Sequence, residues 1–208
     1  MTWTGDHGTR TLDVSETLLR LGVWGRTEVR IELPNYLGGV GGRGNSSGLT
    51  DFSAGVKHQI GPLPGAVDLA VIAGLSFPTG NRSISSHGFD PFVKFPWSRE
   101  LRAGWSVGGM QSLFWGTERG RRNATWEPAF YLQRELTKHS DAFVEYAADY
   151  ARSSGARRLI HAGTAYRFTE KQQIDIHFGV GLSHAAPRYF FAAGYSFRVD
   201  RLFGLFRK

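Results

Sequence analysis

The sequence contains no cysteine, so disulfides and thiolate metal sites are excluded. It has no run of 18 or more apolar residues, which excludes a transmembrane helix. Helical periodicity is also missing: no long segment keeps apolar residues at a spacing of three to four. The start, Met1-Thr-Trp-Thr-Gly-Asp6, has neither a basic stretch nor an apolar h-region, so it is not a signal peptide. The expectation is that an export signal has been removed or that the chain begins inside a longer protein.

What is present is alternation. Segments of about ten residues switch between apolar and polar side chains, as in Ala66-Val-Asp-Leu-Ala-Val-Ile-Ala-Gly-Leu-Ser-Phe77. Strands are expected near 11–23, 27–34, 49–60, 66–78, 91–97, 101–115, 124–136, 141–151, 158–168, 173–182 and 189–199, with the end of an earlier strand in Met1 to Thr4. Connections alternate between short (24–26, 61–65, 98–100, 137–140, 169–172) and long (5–10, 35–48, 79–90, 116–123, 152–157, 183–188). Ten-residue alternating strands, short turns at one rim and long loops at the other describe a membrane-spanning β-barrel. The mean hydropathy of −0.28 does not oppose this, because only every second residue of such a strand meets lipid. The expected fold is therefore all-β: an antiparallel up-and-down transmembrane barrel of about 12 strands over residues 1–199, its first strand truncated, with a short tail at 200–208. Its short turns are expected on the periplasmic side.

The formal net charge is +7 and the pI about 10.0. The positive charges are dispersed; their densest groups (Arg119, Arg121, Arg122; Arg152, Arg157, Arg158) fall in or beside connections. That distribution suits lipid phosphate rather than nucleic acid. Aromatic residues gather at strand ends: Trp24, Trp97 and Phe168 at short turns, Phe77, Trp115, Trp126 and Tyr150 near long loops. Two aromatic girdles are expected where rings meet headgroups.

The charged face of the strands is the candidate functional surface. It comprises Glu28, Arg30, Glu32, Lys57, Asp68, Lys94, Arg102, Glu127, Glu145, Asp149, His161, Arg167, Asp175, His177 and Arg198, all expected in the lumen. Both signs occur, so the set fits either an internal salt-bridge network or a polar constriction that selects solutes.

Enzymatic and cofactor chemistry finds little support. Gly39-Val-Gly-Gly-Arg-Gly44 matches the dinucleotide pattern literally, but Asn45-Ser-Ser-Gly-Leu-Thr and then a strand follow where a helix is required. A hydrolase needs a serine, a histidine and an orienting group together. His161 and His177 lie on neighbouring strands, and Ser106 and Ser112 lie near the inner face, without a nucleophile motif. Two histidines lack an evident third metal ligand. No catalytic residue, metal or cofactor is assigned.

Five pieces carry a resemblance: Glu16-Thr-Leu-Leu-Arg-Leu-Gly22 followed by Thr27-Glu-Val-Arg-Ile-Glu32; Gly48-Leu-Thr-Asp-Phe-Ser-Ala-Gly-Val-Lys57; Leu75-Ser-Phe-Pro-Thr-Gly80; Phe143-Val-Glu-Tyr146; and Gly194-Tyr-Ser-Phe197. In their order and spacing the chain resembles the MetA-pathway of phenol degradation family of transporter-like outer-membrane proteins. The resemblance implies a bacterial outer-membrane β-barrel carrying small hydrophobic or aromatic solutes. It also implies recognition by the barrel-assembly machinery through the last strand, with Gly194, Phe197 and Val199 in the signal positions. Two alternatives stay open: a closed structural barrel whose basic outer loops bind anionic lipid, and a soluble β-barrel binding protein.

Overall fold

The computed structural model describes residues 1–6, 9–40, 47–118, 120–152 and 155–200. The glycine-rich run beyond Val40, Arg119 of the first basic group and the tail after Asp200 lie outside the described residues.

Among the described residues, fifteen antiparallel strands form one sheet. They are β1 (Thr2–Asp6), β2 (Thr9–Val14), β3 (Leu18–Trp24), β4 (Thr27–Glu32), β5 (Tyr36–Val40), β6 (Gly48–Leu49), β7 (Phe52–Gln59) and β8 (Val67–Phe77). There follow β9 (Asp90–Glu100), β10 (Trp105–Glu118), β11 (Arg121–Thr137), β12 (Ser140–Ala151), β13 (Arg157–Thr169), β14 (Gln172–Gly181) and β15 (Tyr189–Phe197). Among the described residues the only helical element is a single 3-10 turn, Arg102–Gly104.

Taken strand by strand, the sheet is not a closed ring: it starts at β3 and ends at β6. The registers identify these two ends as breaks within longer staves. Asp13 stands opposite Leu37, and Leu18 opposite Glu32, so β2–β5 and β3–β4 are two halves of one hairpin with an unchanged register. Across the gaps, the Leu33 N–H donates to Thr17 O at 2.9 Å and the Thr50 N–H to Asn35 O at 2.9 Å. Residues 9–24, 27–40 and 48–59 are thus three interrupted staves. The last strand, β15, pairs with β1, and β1 with β2. Twelve staves, each beside its sequence neighbour, complete the circuit through chain continuity at the breaks.

The three breaks lie side by side. Ser15 has φ 65°, and the inward face shifts by one residue across the gap: Asp13 shares its face with Ala192, whereas Arg20 shares its face with Arg30. Such insertions bend a strand and re-aim its side chains. Asn35 ties them together. Its side-chain amide donates to the Asp13 carboxylate, and it accepts the Thr50 hydroxyl; its backbone N–H donates to Thr50 Oγ1 at 2.9 Å.

Cross-strand partners project from the same face, so the two faces can be followed around the wall. One carries Phe130, Leu132, Val144, Ile160, Ile174, Ile176, Phe178 and Phe191, all solvent-exposed large apolar side chains. The other carries the buried residues Ser53, Ala70, Ile72, Phe92, Ser112, Asp141, His161 and Ala192. An exposed apolar belt facing outward with polar groups inside is the reverse of a water-soluble fold and is what a bilayer requires.

Several expectations are corrected. The segment after Pro34 is not a loop: β5 continues the stave, since Pro34 only precedes Asn35 at the break. The long loop expected over 116–123 is largely strand: β10 and β11 stay paired out to Glu118 and Arg121. β11 has 17 residues, more than the roughly 9–11 a bilayer needs, so its end stands clear of the membrane. The strand expected from 101 starts at Trp105, after the 3-10 turn. The anticipated N-terminal strand is β1, five residues long and paired on both edges.

Candidate lumenal site

The inward rows are built by strand alternation, and register shows which side chains meet. Glu28, Arg30 and Glu32 on β4 face Lys57, Gly55 and Ser53 on β7. Lys57 in turn faces Ile72, which faces Lys94, which faces Ser112 and then Glu127. Further round, Tyr131, Glu145, His161 and Gly179 form one rung, and Asp141, Ala165, Asp175 and Gly194 another. The expected residues Glu28, Arg30, Glu32, Lys57, Asp68, Lys94, Glu127, Glu145, Asp149, His161, Arg167, Asp175 and His177 all stand on these rows.

Two expected residues do not. Arg102 lies in the exposed 3-10 turn before β10, because the strand starts three residues later than its alternation suggests. Arg198 lies past the end of β15, where its Nε pairs with Asp200 at 2.9 Å. Its parity is inward, but no strand continues to hold it against the wall.

Most of the inward charges are paired. Glu28 lies 3.2 Å from both Arg20 Nε and Arg30 Nε, and Lys94 Nζ lies 3.8 Å from Glu32. Arg157 pairs with Asp149 at 3.6 Å, and Arg167 pairs with Asp141. Asp68, Glu127 and Asp175 have no ion pair among the described residues. Alternation reached part of this set and missed Asp13, Arg20, Asp141 and Arg157. Asp141 was legible, two residues before Phe143 on the same row. Arg157 falls at a loop boundary, and Asp13 and Arg20 straddle the break at Ser15, where the parity shifts.

A second cluster is aromatic. Phe143, His161, His177 and Phe190 form a four-ring group, with centroids 5.1 Å apart for the two imidazoles and 5.5–6.0 Å for the ring contacts to Phe143 and Phe190. His161 Nε2 lies 3.4 Å from Glu145, and the two Nδ1 atoms are 3.1 Å apart. If Glu145 accepts the Nε2 proton, His161 Nδ1 is the acceptor and His177 Nδ1–H the donor. Glycines make the room: a Cβ on Gly163 would meet the His177 Cβ at 2.5 Å, and one on Gly108 would meet the Tyr131 hydroxyl at 2.6 Å. Among the described residues, no group of three or more His, Asp and Glu stands close enough to hold a metal ion.

The free space is uneven. A cavity of about 290 Å³ lies toward the short-turn rim, lined among others by Lys57, Asp68, Trp97, Met110, Tyr131 and Glu145. Nearer the long loops, the space among Arg30, Glu32, Ser53, Ile72 and Phe92 is too tight for a water molecule. Lys94 Nζ fills part of the lumen there, 4.9 Å from the Phe92 ring centre and 5.3 Å from that of Phe114.

At the long-loop rim, Asp51 holds the connection 78–89. Its carboxylate accepts the backbone N–H groups of Gly80 at 2.9 Å and Ser86 at 3.0 Å. Burial pushes this carboxyl up. The backbone donors of Ser86 and Gly80, with the hydroxyls of Ser85 and Ser86, outweigh it and hold the carboxyl below its ordinary range.

An antiparallel barrel with an apolar belt and a charged lumen defines the class: an outer-membrane-type β-barrel. The chain belongs to the family described as Putative MetA-pathway of phenol degradation, whose model matches residues 2–199. No curated protein matches the sequence. Among solved structures, the chain is similar to the COG4313 outer membrane channel from Pseudomonas putida F1, with a TM-score of 0.63 at 13% identity over 94% of this chain and 89% of that one. It is also similar to the NanC porin, with a TM-score of 0.62 at 11% identity over 95% of this chain and 98% of that one. At these identities the likeness concerns the fold.

Proposed function

We propose that this protein is a channel of the bacterial outer membrane that passes small solutes, hydrophobic or aromatic ones among them. The observation that carries the reading is the cavity of about 290 Å³ inside a wall whose outer face is apolar. Its lining combines a ring and a thioether (Tyr131, Met110) with charges of both signs, which suits a solute with an apolar body and a polar handle. Similarity in fold to an outer membrane channel and a porin supports the same reading. No enzymatic role is proposed. The partners are outer-membrane lipid at the belt, small solutes in the lumen, and the barrel-assembly machinery at β15, with Gly194, Phe197 and Val199 as the recognised positions.

Reconstitution into planar bilayers and liposomes tests this. Discrete conductance steps and liposome swelling with small aromatic solutes are expected. Bilayers that stay silent, with liposomes that do not swell in any small solute, would refute it. They would favour a closed structural barrel, for which the tight packing around Arg30, Ser53 and Phe92 is the specific observation.

A further inference from the structure

The chain carries 25 Lys and Arg against 18 Asp and Glu, an excess of positive charge. The inward rows carry the opposite excess. Between the rims they hold the carboxylates Asp13, Glu28, Glu32, Asp68, Glu127, Asp141, Glu145, Asp149 and Asp175. Against these nine stand six cations, Arg20, Arg30, Lys57, Lys94, Arg157 and Arg167. At the strand ends Asp90, which Arg122 pairs at 2.9 Å, Glu100 and Glu118 stand beside Arg121, so the ends do not reverse the excess. Six cations cannot neutralise nine carboxylates: Asp13, Asp68, Glu127 and Asp175 have no ion pair among the described residues, and of these only Asp13 is held by a side-chain amide, that of Asn35; Lys57 is the one of the six cations without an ion pair.

The remaining described positive charges stand elsewhere. Arg99 and Arg158 lie on the outward rows at the rims, and Arg134 lies over the Trp105 ring at 5.1 Å, where lipid phosphate is the natural counter-ion.

Resting on the channel reading, we infer that the lumen is cation-selective. It admits small cationic and neutral solutes and turns away anions, with Asp68, Glu127 and Asp175 setting the preference. A low-dielectric wall separates these carboxylates from the outer arginines and focuses their field into the pore. A lumen potential of one kT changes the cation-to-anion ratio about sevenfold, and surface potentials of several kT are ordinary.

Planar-bilayer reversal potentials in a KCl gradient read this directly. The expected result is a potassium preference on the order of sevenfold near 0.1 M salt. It should shrink toward unity near 1 M, where the screening length falls to about 3 Å. The double variant Asp68→Asn, Glu127→Gln should lose at least half of that ratio, and Asp175→Asn serves where the double variant fails to show heat-modifiable gel mobility. Arg99→Gln, outside the lumen, should leave the ratio unchanged. An unbiased or chloride-favouring reversal potential, or an unchanged ratio in the folded carboxylate variants, overturns the inference while leaving a channel. Complete absence of conductance overturns the channel reading and this inference with it.

Discussion

Gly163 offers a sharp test of how the inner wall is packed. It sits on β13 between Phe143 of β12 and His177 of β14. A methyl group placed there would meet the His177 Cβ at 2.5 Å, the Ile176 carbonyl oxygen at 2.5 Å and the Phe143 ring at 2.8 Å. The ring can turn aside. The Ile176 oxygen cannot, because it belongs to the backbone of the neighbouring strand. Overpacking of this kind costs about 1–3 kcal/mol. Replacing glycine by alanine recovers about 0.4–1 kcal/mol through the unfolded chain. Gly163→Ala is therefore expected to destabilise the barrel by about 1–2 kcal/mol, a factor of roughly 5–30 in the folding equilibrium. Urea unfolding in lipid vesicles, followed by tryptophan fluorescence, would show a midpoint lower by roughly 0.5–1 M for a slope near 2 kcal/mol/M. Gly116→Ala is the matched control: it is also on a strand, and a Cβ there meets nothing within 4 Å. It should be neutral or stabilising by up to about 1 kcal/mol. Equal behaviour of the two variants, or wild-type stability for Gly163→Ala, would refute the account of these glycines as ring seats.

Two further predictions address the outer face and the rim. Phe178 is 52% exposed in the belt of β14, so Phe178→Arg should cost about 2–4 kcal/mol near the bilayer midplane and lower the fraction inserted into vesicles. Unchanged insertion would show that this row does not face lipid. The Asp51 carboxyl is held below its ordinary range in the folded state, so its stabilisation of connection 78–89 is complete above the unfolded value of about 3.9 and is lost as pH falls through the lower folded value. Acid-stable protease cleavage within 78–89 should rise only below about pH 4, and Asp51→Asn should make the connection easier to cleave at neutral pH.

Strand alternation made most of this fold legible, and thirteen of the fifteen candidate residues share the face of the sheet that carries the buried side chains. One group of failures occurs where the period of two is interrupted. At Ser15 and at Pro34-Asn35 the chain inserts a residue without leaving the sheet, so the inward row changes parity. A reading by alternation alone then either ends the strand, as at β5, or passes over its inward charges, as with Asp13 and Arg20. Arg102 and Arg198 fail for the complementary reason, since their parity is inward but no strand carries them. The aromatic cluster around His161 and His177 was invisible for a third reason. It depends on Gly163 and Gly179 standing directly opposite rings on both neighbouring strands, which requires the register and not the local sequence.

The same register changes the meaning of the net charge. A pI near 10.0 describes the chain as if its charges shared one medium. In a barrel they do not. Alternation sends neighbours in sequence to opposite sides of a wall: His161 with Glu145 and Tyr131 to the lumen, Ile160 and Ala162 to lipid. At the rims, where headgroup phosphates supply negative charge, arginine is stabilised on the outward row. In the lumen the only counter-charges are those of the protein and the solute. An excess of carboxylates there is tolerable only where water and mobile cations reach it, since burying an unpaired charge in a dry interior costs several kcal/mol. A wet, solute-accessible lumen and an uncompensated Asp68, beside the cavity of about 290 Å³, are therefore two aspects of one arrangement. A sealed, dry core would have required a cation in contact with it, and Lys57, which lines the same cavity, makes no ion pair with it.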